Sequence, residues 1–378
     1  MTKAALSAPV STDAPTKIRV GVVGVGNWAH HGHLRVLDLL AQYEVVAIYS
    51  QRREAAQAAA DTFGIAHVAA SLDALVNDPN VDLVVVLTTA PQHAEGVLAA
   101  LAAGKDVYSE WPLTPKTALS ESLVEMAKAR GVRHIVGLQR RLSATNRYVK
   151  DLIADGYVGK LRSVRLHVSM NYFQAKRSQS LRWTVPPENF SSVIAIYAGH
   201  FLDALFATVG QPKSFNALTS NQFKEVYIVE TGEILPTTTP DQLVMNGLLD
   251  NGAVFSIHIE GGKRNGSGVQ IDITGDEGDL RITNVSPFGG LGEDYVITGA
   301  HGDDLPMQVL PTPETYDWLP ASTLPSSVLE LANLYVAHAR DVAEGTQSAP
   351  TFADAVRMHH ILDQARHDVA ALADKTAA

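Results

Sequence analysis

Between residues 17 and 138, short apolar runs alternate with stretches whose apolar positions recur at helical spacing. Strands are predicted from 17 up to Gly24 and over 44–50, 81–87, 106–109 and 133–138, with helices over 33–42, 92–103 and 114–130. Residues 81–87 read Val-Asp-Leu-Val-Val-Val-Leu, the near-continuous apolarity of a parallel strand covered on both faces. Past a linking helix over 144–154 the period changes. Runs at 161–171, 214–219, 242–249, 253–260, 269–274 and 280–283 often alternate apolar with polar, and Asp250-Asn251-Gly252 forms a hairpin turn between two of them. One long helix over 193–208 interrupts this series, and helices over 326–344 and 351–374 close the chain. The pattern predicts an α/β protein: an N-terminal doubly wound parallel sheet of the Rossmann type, then an α+β domain with an open, mostly antiparallel sheet. The first domain is expected over 17–140 and the second, for substrate and dimerisation, over 141–378, its terminal helices packing back on the first. A sheet covered on one face leaves the other to pair with a second subunit, so a homodimer or homotetramer is expected.

At 378 residues the chain exceeds the size at which one core suffices, in keeping with two domains. A net charge of −10 without a run of Lys or Arg argues against nucleic acid or an anionic membrane as partner. With no cysteine there is no disulfide framework, thiol nucleophile or thiolate metal site. Residues 1–16, rich in Ala, Ser, Thr and Pro, read as a disordered tail and not a signal peptide. No apolar run approaches the ~20 residues that span a bilayer. A cytoplasmic location follows by default.

The first strand runs into Gly24-x-Gly26-Asn27-Trp28-Ala29, a strand-to-helix turn suited to a dinucleotide pyrophosphate. The first glycine permits the tight turn, the second lets the backbone approach the diphosphate, and a small third residue lets the helix pack closely. The second strand ends Tyr49-Ser50-Gln51-Arg52-Arg53, without the acid that holds an NAD ribose and with two guanidinium groups suited to a 2′-phosphate. NADP is therefore expected, NAD being possible; alternatively Arg52 and Arg53 only begin a solvated helix. Thr88 and Thr89 end a central strand where the chain should cross the cofactor.

Four segments carry a family resemblance: Gly24-x-Gly26; Ala103-Gly104-Lys105-Asp106-Val107 leading to Glu110-x-Pro112; Gly156-Tyr157-Val158-Gly159-Lys160; and His200-x-x-Asp203. Together they resemble the Gfo/Idh/MocA oxidoreductases over nearly the whole chain. The resemblance implies a dinucleotide-binding domain joined to an open-sheet domain, and NAD- or NADP-dependent chemistry on sugars, inositols and related compounds. Two departures stand out. Most members carry Glu-Lys-Pro, whose lysine helps move the substrate proton, where this chain has Glu110-Trp111-Pro112, and an aspartate where it has Ile196. Glu-Trp followed by Gly199-His200-x-x-Asp203 is similar to the galactose-regulon repressors of yeasts, which bind the dinucleotide to sense and regulate. Asn251-Gly252, Glu260-Gly261-Gly262-Lys263 and Gly278-Asp279-Leu280 strengthen that likeness. A sensor of this kind would act through a protein partner.

For catalysis the candidates are His200, because imidazole titrates near working pH, and Tyr197 on the same helix face. Trp111 cannot move a proton; it either stacks beside the nicotinamide or closes a core. Glu110, Trp111 and Pro112 are expected at the cofactor, as is His93 unless it caps its helix. Arg141, Tyr172, Arg182 and Trp183 offer polar donors beside aromatic faces for a sugar-like ligand, although Arg182 and Trp183 are equally ordinary loop residues. Asp203, one turn after His200, either orients its imidazole or is an unemployed surface carboxylate. His30-His31-Gly32-His33 lacks the ligand pattern of a metal site, and His33 is expected near the cofactor. His359 and His360 are expected at the surface or in interdomain packing.

Overall fold

The computed structural model describes residues 17–172 and 174–376, the side chains of 367–376 excepted; the tail expected at 1–16 lies outside the described residues. Six parallel strands form the first sheet: β1 (Ile18–Val23), β2 (Tyr43–Tyr49), β3 (His67–Val68), β4 (Leu83–Val86), β5 (Asp106–Ser109) and β6 (His134–Val136), in spatial order β3-β2-β1-β4-β5-β6. The order reverses between β1 and β4, so the crevice at their carboxyl ends is where a ligand belongs. Helices α1 (Leu34–Leu39), α2 (Arg53–Phe63), α3 (Leu72–Val76), α4 (His93–Ala102) and α5 (Thr117–Arg130) lie between these strands, and α6 (Ala144–Ala154) leads out. The helix after the glycine turn begins as a π-helical turn, Ala29–His33, before continuing as α1.

The second domain holds β7 (Ser163–Ser169), β8 (Lys176–Arg177), a helix, β9 (Pro212–Ser220), β10 (Glu225–Ile228), β11 (Ile234–Pro236), β12 (Gln242–Leu249), β13 (Val254–Glu260), β14 (Gly268–Thr274), β15 (Gly278–Asn284), β16 (Val296–His301) and β17 (Gln308–Val309). Eight of these make one sheet, β17-β16-β15-β14-β7-β13-β12-β9, antiparallel except where β7 meets β13. Strands β8, β10 and β11 form a small separate sheet absent from the sequence expectation; they are too short to carry a period. The expected long helix is a π-helical turn, Val193–Ala198, followed by α7 (Gly199–Val209). It corrects one expectation. The helical stretch Pro187–Val209, 23 residues, is long and apolar enough to cross a membrane. Its apolarity serves the core instead, for 72% of its most apolar window is buried, with Leu202 and Phe206 in one cluster with Phe255 and Ile257 of the sheet and Phe206 edge to face with Phe255.

Helix α8 (Ser326–Glu344) buries Leu331, Leu334 and Tyr335 in one cluster with Val20, Val22 and Leu83 of the parallel sheet. Helix α9 (Phe352–Thr376) packs between α5 and β9. Helix α8 thereby brings Ser327 and Glu330 to the crevice, more than 200 positions from the glycine turn.

Candidate active site

A cleft of about 1480 Å³ runs from the glycine turn to α7. At its start Gly24 has φ +96°, and a Cβ there would lie 3.0 Å from the Leu87 carbonyl oxygen and the Thr88 nitrogen, so the turn requires glycine. A Cβ on Gly26 would meet nothing within 4 Å. That space lies in the cleft, where a diphosphate would approach the backbone. Asn27, Trp28, Ala29, Ser50, Arg52, Thr88 and Thr89 line the same end. Arg53 does not; it opens α2, exposed and outside the cleft. The guanidinium of Arg52 makes no hydrogen bond or ion pair among the described residues, and no carboxylate from the end of β2 shares this wall. The residues present fit a dinucleotide.

The β5 loop supplies Glu110, Trp111 and Pro112. Glu110 Oε1 lies 2.7 Å from His33 Nε2 and accepts the Tyr108 hydroxyl at 2.6 Å. Because an ionised carboxylate only accepts, His33 carries its proton on Nε2, and its Nδ1 takes the Tyr335 hydroxyl of α8 at 2.8 Å. Burial pushes the Glu110 carboxyl up, but the His33 and Tyr108 bonds outweigh it and hold the group below its ordinary range. His33 therefore sits behind Glu110, reaching the cleft only through it. His93 is fully buried; its Nδ1 lies 2.8 Å from the Pro112 carbonyl and its Nε2 2.9 Å from that of Thr88, tying the β5 loop to the end of β4. Burial pushes its imidazole down. His31 is bonded to the Asn27 carbonyl at 3.1 Å and His30 leans on Phe63.

At the far end stand Tyr172, Trp183, Ile196, Tyr197, His200 and Phe288. Tyr172, Tyr197 and Phe288 meet edge to face with ring centroids 5.3–6.0 Å apart. His200 is half-buried, and burial followed by the charge of Arg140 pushes its imidazole down to about 3. The expectation of a group titrating at working pH is corrected: this ring is neutral there. Among the described residues its Nδ1 is buried without a partner. A buried lone pair is more easily left unpaired than a buried N–H, so the proton belongs on Nε2. Burial likewise pushes the Tyr197 hydroxyl up.

Three expected ligand residues lie elsewhere. Arg141 binds Asp203 through Nε at 2.7 Å and Asp354 through Nη1 at 3.1 Å, fastening α7 to α9. Asp203 is spent in that pair and does not orient His200. Arg182 grips Glu233 with two 2.9 Å bonds on the surface of the small sheet. Trp111, with 4% of its surface exposed, follows the packing alternative: its indole N–H donates to the Ala195 carbonyl at 2.9 Å and its ring lies 5.0 Å from His359. His359 is buried between domains and pushed down to about 4 by burial, while the exposed His360 pairs with Glu121.

The sequence reading missed Gln139, Arg140 and Glu330, all of which line the cleft. Arg140 is buried, donates to the Pro287 carbonyl at 2.6 Å, lies over Phe201 and faces Glu330 at 3.6 Å. Burial raises the Glu330 carboxyl, opposed by Arg140. A signal existed for Glu330, an acid inside the apolar run Val328-Leu329-Glu330-Leu331-Ala332. For Arg140 there was none, since nothing in the sequence separates it from its neighbour Arg141.

Residues 18–138 match the family described as oxidoreductase family, NAD-binding Rossmann fold, and residues 145–284 match the one described as Gal80p, C-terminal domain. A dehydrogenase of Aspergillus oryzae, aclE, is 33% identical over 244 residues, 61% of this chain and 66% of that one, so the match spans just under two thirds of its length. The galactose/lactose metabolism regulatory protein GAL80 of Saccharomyces cerevisiae is 27% identical over 327 residues, 79% of this chain and 75% of that one. A super-repressor mutant of Gal80p from the same yeast shares the fold, with TM-score 0.83 and 23% identity over 94% of this chain and 96% of that one. Levoglucosan dehydrogenase in complex with NADH and levoglucosan shares it too, with TM-score 0.82 and 21% identity over 94% and 97%.

Proposed function

We propose that this chain, which belongs to the Gfo/Idh/MocA oxidoreductase family and carries a second domain of the Gal80p type, is an NADP-preferring oxidoreductase that moves a hydride to or from a sugar-like carbonyl or alcohol. The observation that carries the reading is the single cleft joining the Gly24–Gly26 turn to His200. The nicotinamide, when bound, supplies or takes the hydride. Neutral His200, donating from Nε2, polarises the substrate oxygen while the proton that accompanies the hydride is exchanged with water, and Glu110 accepts a hydrogen bond from a hydroxyl or amide through the carboxylate edge that His33 and Tyr108 leave open. Arg52 is free to take a 2′-phosphate. The charges near the far end are committed, Arg140 to Glu330 and Arg141 to Asp203, which leaves aromatic rings and neutral donors for an uncharged, polyhydroxylated ligand. The exposed outer face of the eight-stranded sheet is where a second copy would pair.

One observation favours a second reading, a dinucleotide-responsive binding protein that acts through a protein partner. Trp111 and Ile196 replace the titrating groups usual in the family, and with His200 near 3 and the Tyr197 hydroxyl pushed up, neither of these two donors titrates near neutrality. NADPH fluorescence, followed with aldoses, ketoses, cyclitols and keto acids and with NADH in parallel, separates the two. Decay with a neutral polyol-type compound and NADPH is expected; binding of NADPH without decay across the panel would replace the enzyme with the sensor.

A further inference from the structure

The cleft-facing direction of Tyr197 and His200 depends on a wide turn of helix. Over Val193–Ala198 the backbone is π-helical, and from Gly199 it continues as α-helix. Each α-helical residue advances the side chain by about 100°. A single residue gained or lost in the turn would therefore swing one flank of the helix away from the cleft. Such turns occur mostly as isolated insertions and frequently at functional sites. Something must hold this one open, and two contacts do. Ser192 caps its start, accepting the Ala195 N–H at 3.0 Å. From the opposite side the Trp111 indole N–H donates to the Ala195 carbonyl at 2.9 Å, with the ring wedged between the turn and His359 of α9. The wedge has no slack. A Cβ built on Gly199 would lie 2.5 Å from Trp111 Cε2 and 2.6 Å from Cζ2, distances that side-chain carbons do not tolerate.

We propose that Trp111 is a positioning residue whose indole holds the Val193–Ala198 turn open and so directs Tyr197 and His200 into the cleft, with Gly199 as its obligate counterpart. This assigns a role to the residue that replaces the family's lysine, and it explains why a glycine directly precedes His200. The role applies equally to an enzyme and to a sensor, because it concerns how the wall is built.

The test needs no substrate. Protein labelled with ¹⁵N-histidine, its His200 ring signals assigned by His200→Gln, is compared for wild type, Trp111→Phe, Gly199→Ala and the double variant, with NADPH binding titrated by fluorescence on each. Each single change is expected to displace the His200 ring signals while NADPH affinity stays within about threefold, since the glycine turn is untouched. The double variant should be no more displaced than either single one, because the smaller phenyl ring makes room for the methyl group. A folded single variant with wild-type His200 signals, additive damage in the double variant, or a parallel loss of NADPH affinity would overturn the proposal. Should Gly199→Ala fail to fold, recovery of folding in the double variant supports the coupling and its absence counts against it, while Trp111→Phe still reports on the wedge.

Discussion

Arg52 and Arg53 are adjacent, yet only Arg52 lines the cleft, because α2 begins between them and carries Arg53 away. An arginine fork on a phosphate makes charge-assisted bonds worth about 1.5–3 kcal/mol, or roughly 10- to 100-fold in affinity. Arg52→Ala is thus expected to weaken NADPH by that factor and leave NADH nearly unchanged, measured by fluorescence titration of both. Equal loss for the two cofactors would end the assignment of Arg52 to a 2′-phosphate. The pair Arg140 and Arg141 divides in the same way. One guanidinium stands in the cleft wall and the other locks Asp203 and Asp354 behind it.

Among elements, the two π-helical turns stand at the two ends of the cleft, Ala29–His33 beside the glycine turn and Val193–Ala198 before His200. Both place polar rings where a regular helix of the same sequence would not. The eight-stranded sheet presents the opposite case of regular alternation. Leu218 pairs across strands with Val244, and Leu248 with Val254, all four exposed on the face away from α7. Val296 and Val309 extend this face to the far edge, among polar residues such as Arg165 and Asp272. In the proposed dimer a charge placed here would be desolvated by the second copy, and it would cost little in a lone chain. Val244→Glu is expected to convert a dimer to a monomer in sedimentation without lowering the melting temperature of the monomer. A wild-type chain that sediments as a monomer at micromolar concentration would remove the open sheet as an interface.

At the scale of the molecule, burial pushes several histidines down, among them His200 to about 3, His338 to about 4 and His359 to about 4, against an ordinary value of 6.5. Between these values the unfolded chain binds protons that the folded chain refuses, so unfolding is favoured as pH falls. Their stabilising contribution is full above about pH 6.5 and is lost progressively towards pH 4. Each pH unit of difference is worth about 1.4 kcal/mol per group. The melting midpoint is expected to drop steeply from pH 6.5 to 4.5, and His359→Gln should flatten that slope; a midpoint unchanged over the interval would contradict the buried neutral rings. The sequence by itself determined what rests on local pattern. Continuous apolarity marked the buried strand at 81–87, alternation marked β12 and its hairpin to β13, and Gly24-x-Gly26 marked the turn, because period and backbone freedom are properties of neighbours in the chain. It could not separate Arg140 from Arg141, bring Tyr335 to His33 or Glu330 to Arg140, or turn Trp111 from a cofactor face into a wedge against Ala195. Those outcomes were decided by tertiary structure alone, because each depends on which distant elements pack together and which polar group is then left without water.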